Sequence, residues 1–141
     1  MRRAGPSGAN VARRRRAYGR GRSAERRAAW WLRLKGYRIL ARGVRVPLGE
    51  IDLVARRGRV LALVEVKARP SLAAAHEALG PRQRRRIERA AAVFLQRRPD
   101  LAALDLRFDV VLIAPRRPPR HIADAWRAEE AWRGTRPVRK V

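Results

Sequence analysis

Between Gly49 and Arg69 the chain reads GEIDLVARRGRVLALVEVKAR. Asp52, Glu65 and Lys67 stand there among strand-forming residues, and charges rarely enter half-buried strands without a partner or a task. An acid on one strand, then an acid and a lysine two residues apart on the next, is the layout of a metal-dependent phosphodiesterase site. Hard cations such as Mg²⁺ and Mn²⁺ take one or two carboxylates together with water and substrate phosphate. Asp52 and Glu65 can supply the carboxylates, and the carbonyl of Val66 is a third candidate oxygen. A cation there would lower the pKa of a water and offset charge on a phosphorane-like transition state. Lys67 would orient that water or stabilise the developing negative charge. Without a cation the clustered acids repel, and at least one tends to hold a proton.

Whether these groups meet depends on strand register. Side chains alternate faces along a strand, so Glu50, Asp52 and Val54 share one face. Leu61, Leu63, Glu65 and Lys67 share a face of the following run. The link Arg56-Arg57-Gly58-Arg59 is short and carries a glycine, which suits a hairpin. With Arg57 and Gly58 as the central turn residues, Arg56 faces Arg59, Asp52 faces Leu63, and Glu50 faces Glu65. Glu50, Asp52, Glu65 and Lys67 then converge. A slip of one residue would send Asp52 to the opposite side from Glu65.

The flanking elements must hold this hairpin. Ser23 suits an N-cap, Ala24 to Lys35 reads as a helix, and Gly36 suits its C′ position. Ala28, Trp31 and Leu32 form its apolar stripe. Glu25, near the start, has two readings. It complements the helix dipole, worth about 0.3–1 kcal/mol, or it is an outer ligand to metal or water. Tyr37 to Val46 reads as a strand with Tyr37, Ile39 and Ala41 on one face, and Pro47-Leu48 as a turn. Ser71 to Gly80 reads as a loop with one helical turn, and its lone His76 as an exposed residue rather than a ligand. Pro81 suits position N1 of a helix over Arg82 to Arg98 with a stripe of Ile87, Ala91, Phe94 and Leu95. Arg82, Arg85, Arg86 and Arg89 lie off that stripe and read as a phosphate-binding face more readily than as a merely solvated one. Leu104 to Ala114 reads as a strand whose Asp109 pairs with Arg107 or a neighbouring strand, and His121 to Ala123 as a short edge strand. A helix through AEEAW follows.

This order predicts an α/β fold with a mixed central sheet flanked by helices. Residues 1–21, rich in arginine and glycine without an acid, read as a disordered basic arm. The folded domain is expected over 22–126 and a flexible basic tail over 127–141. The chain has 141 residues, with 36 Lys and Arg against 12 acids, a net charge of +24. Such a charge steers a protein toward polyanions, with nucleic acid the leading partner and DNA favoured over RNA. There is no long apolar span for a membrane, no secretory signal pattern and no cysteine, so thiolate metal sites are excluded and a cytoplasmic location is expected. Oligomeric state stays open, a homodimer included.

GRSAERRAAWWLRLKGYRIL, GEIDLVA, LVEVKAR, GPRQRRRIERAA and RFDVVLI together resemble the YraN family of bacterial proteins. That family is regarded as a distant branch of the PD-(D/E)xK nuclease superfamily, near the archaeal Holliday-junction resolvases. The resemblance spans about Gly21 to Trp126. It implies a restriction-endonuclease-like core, with Asp52, Glu65 and Lys67 as the nuclease triad and Glu25 as the helical acid. The family often has a lysine where this chain has Gln83 and an asparagine where it has Gly43. Some superfamily nucleases use a glutamine on that helix, so Gln83 is kept in the catalytic set. Three functions are weighed: a metal-dependent endonuclease, a nucleic-acid-binding protein with a nuclease fold and weak activity, and a small basic structural protein.

Overall fold

The two strands that carry the charged residues are the second and third of a five-stranded sheet. This computed structural model describes residues 8–77 and 79–128, with side chains over 21–75 and 79–128. In chain order the elements are α1 (Gly8–Leu34), β1 (Arg38–Val46), β2 (Gly49–Arg57), β3 (Val60–Ala68), α2 (Leu72–Glu77), α3 (Pro81–Arg97), a 3-10 turn (Pro99–Leu101), β4 (Asp105–Ile113) and β5 (Arg120–Trp126). The strands lie side by side in sequence order. β1, β2 and β3 form an antiparallel meander, β3 and β4 run parallel, and β5 returns antiparallel. The parallel step needs a crossover, and α2 and α3 supply it. The mixed sheet flanked by helices is the α/β core expected from the element order.

Each face of the sheet has its own apolar layer. Ala24, Ala28, Ala29 and Leu32 of α1 pack with Tyr37, Leu53, Ala55, Val64, Val111 and Ile113. Ile87, Ala90, Ala91, Phe94 and Leu95 of α3 pack with Val54, Leu61, Leu63, Phe108, Val110 and Leu112. β3 is buried along most of its length because both layers close on it, which is why its sequence reads as a near-continuous apolar run. Edge strand β1 exposes Arg38, Arg42 and Arg45, charges that discourage pairing with another edge. No helix among the described residues is long and apolar enough to cross a membrane.

Several local details depart from the sequence reading. α1 starts at Gly8 rather than Ala24, so Ser23 is interior to the helix and not its cap. Its backbone takes in much of the segment assigned to the arm, since arginine and alanine sustain a helix once it is anchored. Residues 1–7, the AEEAW segment from 129 onward, the rest of the tail, and the side chain of His76 lie outside the described residues. α1 ends as expected: Tyr37 N–H reaches Leu32 C=O at 3.0 Å and Gly36 N–H reaches Arg33 C=O at 3.0 Å, a Schellman arrangement. In β1 an irregularity between Ile39 and Ala41 breaks the alternation. Ile39 stays with Tyr37 on the α1 face, while Leu40, Ala41 and Val44 pack on the α3 face. β5 is longer than the short strand expected, running to Trp126, whose ring stacks on Phe108 at 5.1 Å.

The β2–β3 hairpin corrects the expected register. Arg57 pairs with Val60, so Gly58 and Arg59 are the central residues, not Arg57 and Gly58. Gly58 has φ +59, the positive value that the first central position of a II′ turn requires. The shift is two residues, so every side chain keeps its face. Val54 now faces Leu63 and Leu53 faces Val64; continued one step, the register sets Asp52 rather than Glu50 against Glu65. At its other end β2 presses on α3. A Cβ on Gly49 would lie 2.0 Å from the carbonyl oxygen of Arg86.

Candidate active site

A cleft of about 850 Å³ opens at the C-terminal ends of the parallel strands β3 and β4, between α1 and the start of α3. Open α/β sheets commonly bind ligands at the carboxyl ends of parallel strands. Glu25 from α1, Glu50 and Asp52 from β2, Glu65, Val66 and Lys67 from β3, and Gln83 from α3 all line it. Four acids therefore gather at one cleft in a chain of net charge +24. Arg27 and Arg69 line it as well.

The two central carboxylates are held in different ways. The β2–β3 pairing ends at Leu53, and beyond it the Val66 N–H donates to Asp52 Oδ2 at 2.8 Å. Asp52 thus takes over a backbone donor next to the site. Glu65 is 3% exposed. Its Oε1 accepts from Gln83 Nε2 at 3.1 Å and lies 3.2 Å from Lys67 Nζ. Its Oε2 is buried with no hydrogen-bond partner.

Burial sets the electrostatics. It raises Glu65 from its ordinary 4.5 to about 8, helped by repulsion from Asp52 and opposed by Lys67. Burial likewise raises Asp52, against the stabilising N–H of Val66. Glu25 is raised by partial burial and by the charges of Asp52 and Glu50, with Arg22 and Arg45 opposing. Two carboxylates interact closely, and one oxygen has no donor. Such a pair needs either a proton or a cation. The set fits a hard divalent cation on these grounds, with Asp52 and Glu65 as the carboxylates and Val66 beside them. No three or more His, Asp and Glu side chains form a metal cage among the described residues. A magnesium-type ion does not need one, since it keeps several waters and relies on one or two carboxylates.

The structure therefore brings together Glu25, Asp52, Glu65, Val66, Lys67 and Gln83. Arg82, Arg85, Arg86 and Arg89 are exposed on α3 and do not line the cleft. Arg27 and Arg69 were not singled out from sequence. Arg69 had a signal, because it continues the Glu65, Lys67 alternation along one strand face. Arg27 had only its place one turn or less from Glu25 on a helix.

Asp109 is a separate centre. It is fully buried and accepts from Arg107 Nε at 2.8 Å, Arg107 Nη2 at 2.7 Å and the Asp124 N–H at 3.0 Å, with His121 Nε2 at 2.7 Å. Lys35 contacts the other ring nitrogen of His121, and Tyr37 accepts from Arg107. Burial alone would raise Asp109, but His121, Arg107 and the Asp124 N–H hold it below its ordinary value. This network ties β5 to β4 and to the end of α1, the structural pairing expected from sequence with His121 as an added partner.

Known proteins are similar to this chain over most of its length. A profile described as uncharacterised protein family UPF0102 matches residues 24–113. A UPF0102 protein of Parvibaculum lavamentivorans is 67% identical over 111 residues, covering 79% of this chain and 84% of its own. One from Paramagnetospirillum magneticum is 60% identical over 114 residues, 78% and 88% of the two chains. One from a Chelativorans species is 54% identical over 115 residues, 82% and 93% of the two chains. The matched segment runs from the α1 residues beside the cleft to the last residue of β4, and the chain belongs to the UPF0102 family, the YraN proteins of the sequence resemblance.

Proposed function

We propose that the protein is a divalent-cation-dependent endonuclease that hydrolyses phosphodiester bonds in nucleic acid, DNA ahead of RNA. The observation that carries this reading is Glu65, a buried carboxylate with one oxygen lacking any donor, repelled by Asp52 and 3.2 Å from Lys67. Mg²⁺ or Mn²⁺, when held by Asp52 and Glu65 beside the Val66 carbonyl, would supply Lewis-acid charge compensation at the scissile phosphate.

The chain's own groups do the rest. Gln83 fixes the orientation of Glu65 through Oε1, and the Val66 N–H fixes Asp52. Lys67 presents N–H donors toward the negative charge that grows on the phosphoryl oxygens as water attacks phosphorus. The water oxygen bonds to phosphorus and gives up a proton to solvent, the P–O bond to the leaving group breaks, and the departing oxygen takes up a proton from solvent. Glu25 lines the cleft from α1, close enough to feel the charge of Asp52, and would hold a water in its outer part. Arg27 and Arg69 hold the neighbouring phosphates. Arg82, Arg85, Arg86 and Arg89 extend that track along α3.

A second reading, a nucleic-acid-binding protein with weak activity, draws on Gln83. A neutral amide stands there in place of the lysine common in the resembling family, so the site has one positive charge fewer. Titration of Mg²⁺ or Mn²⁺ against branched, duplex and single-stranded substrates separates the two. Calorimetry adds the metal itself: Asp52→Asn with Glu65→Gln should abolish the heat of binding. Tight binding with no cleavage under any cation selects the second reading.

A further inference from the structure

Apart from Arg27, the outer face of α1 has no role in the site described above. Ala24, Ala28, Ala29 and Leu32 turn to the sheet and are buried. The opposite side exposes Arg26, Arg27, Trp30, Arg33 and Leu34, spaced three and four apart and so aligned along one face. Trp30 is 60% exposed, an unusual place for the largest side chain. Arg26 lies four residues before it, Arg27 three before and Arg33 three after. None of the three guanidinium groups has a hydrogen bond or ion pair with another of the described residues. Arg27 belongs both to this face and to the wall of the cleft.

We infer that this face is a platform for an unpaired nucleic-acid strand, with a base stacked on the Trp30 indole and phosphates on Arg26 and Arg33. The strand passes by way of Arg27 into the cleft. Aromatic rings stack on bases of any sequence, and flanking arginines neutralise the backbone. A duplex hides its base faces within the stack, so a tryptophan platform selects single-stranded ends, gaps or forks over continuous duplex. The alternatives fit the surface less well. One tryptophan and one leucine make too small a patch for a stable interface with a second copy, and the charge of +24 repels one. A helix lying in a membrane surface needs a broad apolar face, and among the described side chains the apolar face of α1 is already buried. The inference rests on the endonuclease reading for the place of cleavage, but the platform is measured by binding alone.

The test uses the full chain in EDTA and a fluorescein-labelled oligothymidylate, read by anisotropy, with a duplex of equal length alongside. Trp30→Ala should weaken single-strand binding by about 5- to 100-fold, whereas Trp30→Phe, which keeps a ring, should lose about 3-fold or less. Duplex binding should change little in either variant. Circular dichroism should show both folded, because the side chain is exposed. Unchanged single-strand affinity in Trp30→Ala overturns the inference, as does equal weakening toward duplex. Loss of a dimer in sedimentation with unchanged oligonucleotide affinity points to a second copy and also overturns it. So does loss of binding to phosphatidylserine vesicles alone. Cleavage is scored separately with Mg²⁺: a Trp30 effect without cleavage by wild type sinks the nuclease reading and keeps the platform. Intact cleavage without a Trp30 effect does the reverse.

Discussion

The carboxylate of Asp52 accepts the main-chain N–H of Val66 at 2.8 Å, just past the last β2–β3 pair, Leu53 with Val64. The same side chain is thus part of the sheet and part of the site. Asp52→Ala should destabilise the fold by about 1–3 kcal/mol by leaving a half-buried N–H without its acceptor. Asp52→Asn keeps a carbonyl acceptor and should melt close to wild type while binding no cation. Thermal melts beside metal calorimetry check the split; equal melting of the Ala and Asn variants would show that the bond does not hold the strand.

Burial of Glu65 makes the site costly to the fold. Its folded pKa of about 8 lies above the ordinary 4.5, so the folded state keeps a proton that the unfolded chain has released. That contribution is complete below about pH 4.5 and is lost as pH rises through about 8. Without metal, Glu65→Gln should therefore melt higher than wild type at pH 8, by the equivalent of about 1 kcal/mol or more, with the gap closing toward pH 4. Melting curves across that range, in EDTA, decide it. A variant less stable than wild type at pH 8 contradicts the assignment.

Lys67 tests the chemistry. Lys67→Ala should spare nucleic-acid affinity but slow single-turnover cleavage by about 10²-fold or more, as for loss of an electrostatic contact made in the transition state. A lysine that only bound phosphate would instead lose affinity and leave the saturated rate intact.

The arginines of α3 test the track. Binding should weaken with salt at a log–log slope of about −0.9 per phosphate neutralised on duplex. Replacing Arg82, Arg85, Arg86 and Arg89 by Gln should flatten that slope without changing metal binding, because none of the four lines the cleft. A wild-type slope near zero would remove the polyanion reading.

Asp109 predicts acid sensitivity elsewhere in the fold. Its pKa is depressed, so its contribution is present above the ordinary carboxylate range and fades only as pH falls below about 4. Asp109→Ala strands Arg107 and His121 and should cost about 3–5 kcal/mol, enough to threaten folding. Asp109→Asn, which keeps one acceptor, should fall between; denaturant unfolding measures both.

The hairpin shows what could be read from the letters and what could not. Period-two alternation put Glu50, Asp52, Glu65 and Lys67 on one face, and that survived because the register error was two residues, an even number. The error came from the turn: both Arg57-Gly58 and Gly58-Arg59 are plausible pairs, and only the backbone angle of Gly58 chooses. Gln83 was named from resemblance, but its contact with Glu65 arises from packing of α3 on the sheet. His121 and Asp109 meet through strand pairing across a loop, which no local spacing announces. The start of α1 was misplaced because a basic, glycine-containing segment carries no apolar periodicity, while helix propagation from an anchored turn needs none.

Gly49 sets a limit on how this cleft can vary. With a Cβ only 2.0 Å from the Arg86 carbonyl, any other residue would push α3 off the start of β2. Asp52 follows on the one element and Gln83 precedes Arg86 on the other, so that displacement would widen the gap between the cleft carboxylates and Gln83. A single added methyl group, outside the cleft itself, is then expected to loosen the whole constellation. The exposed arginines and Trp30 are free to vary without disturbing this packing, whereas the spacing of the acids is locked by the absence of a side chain.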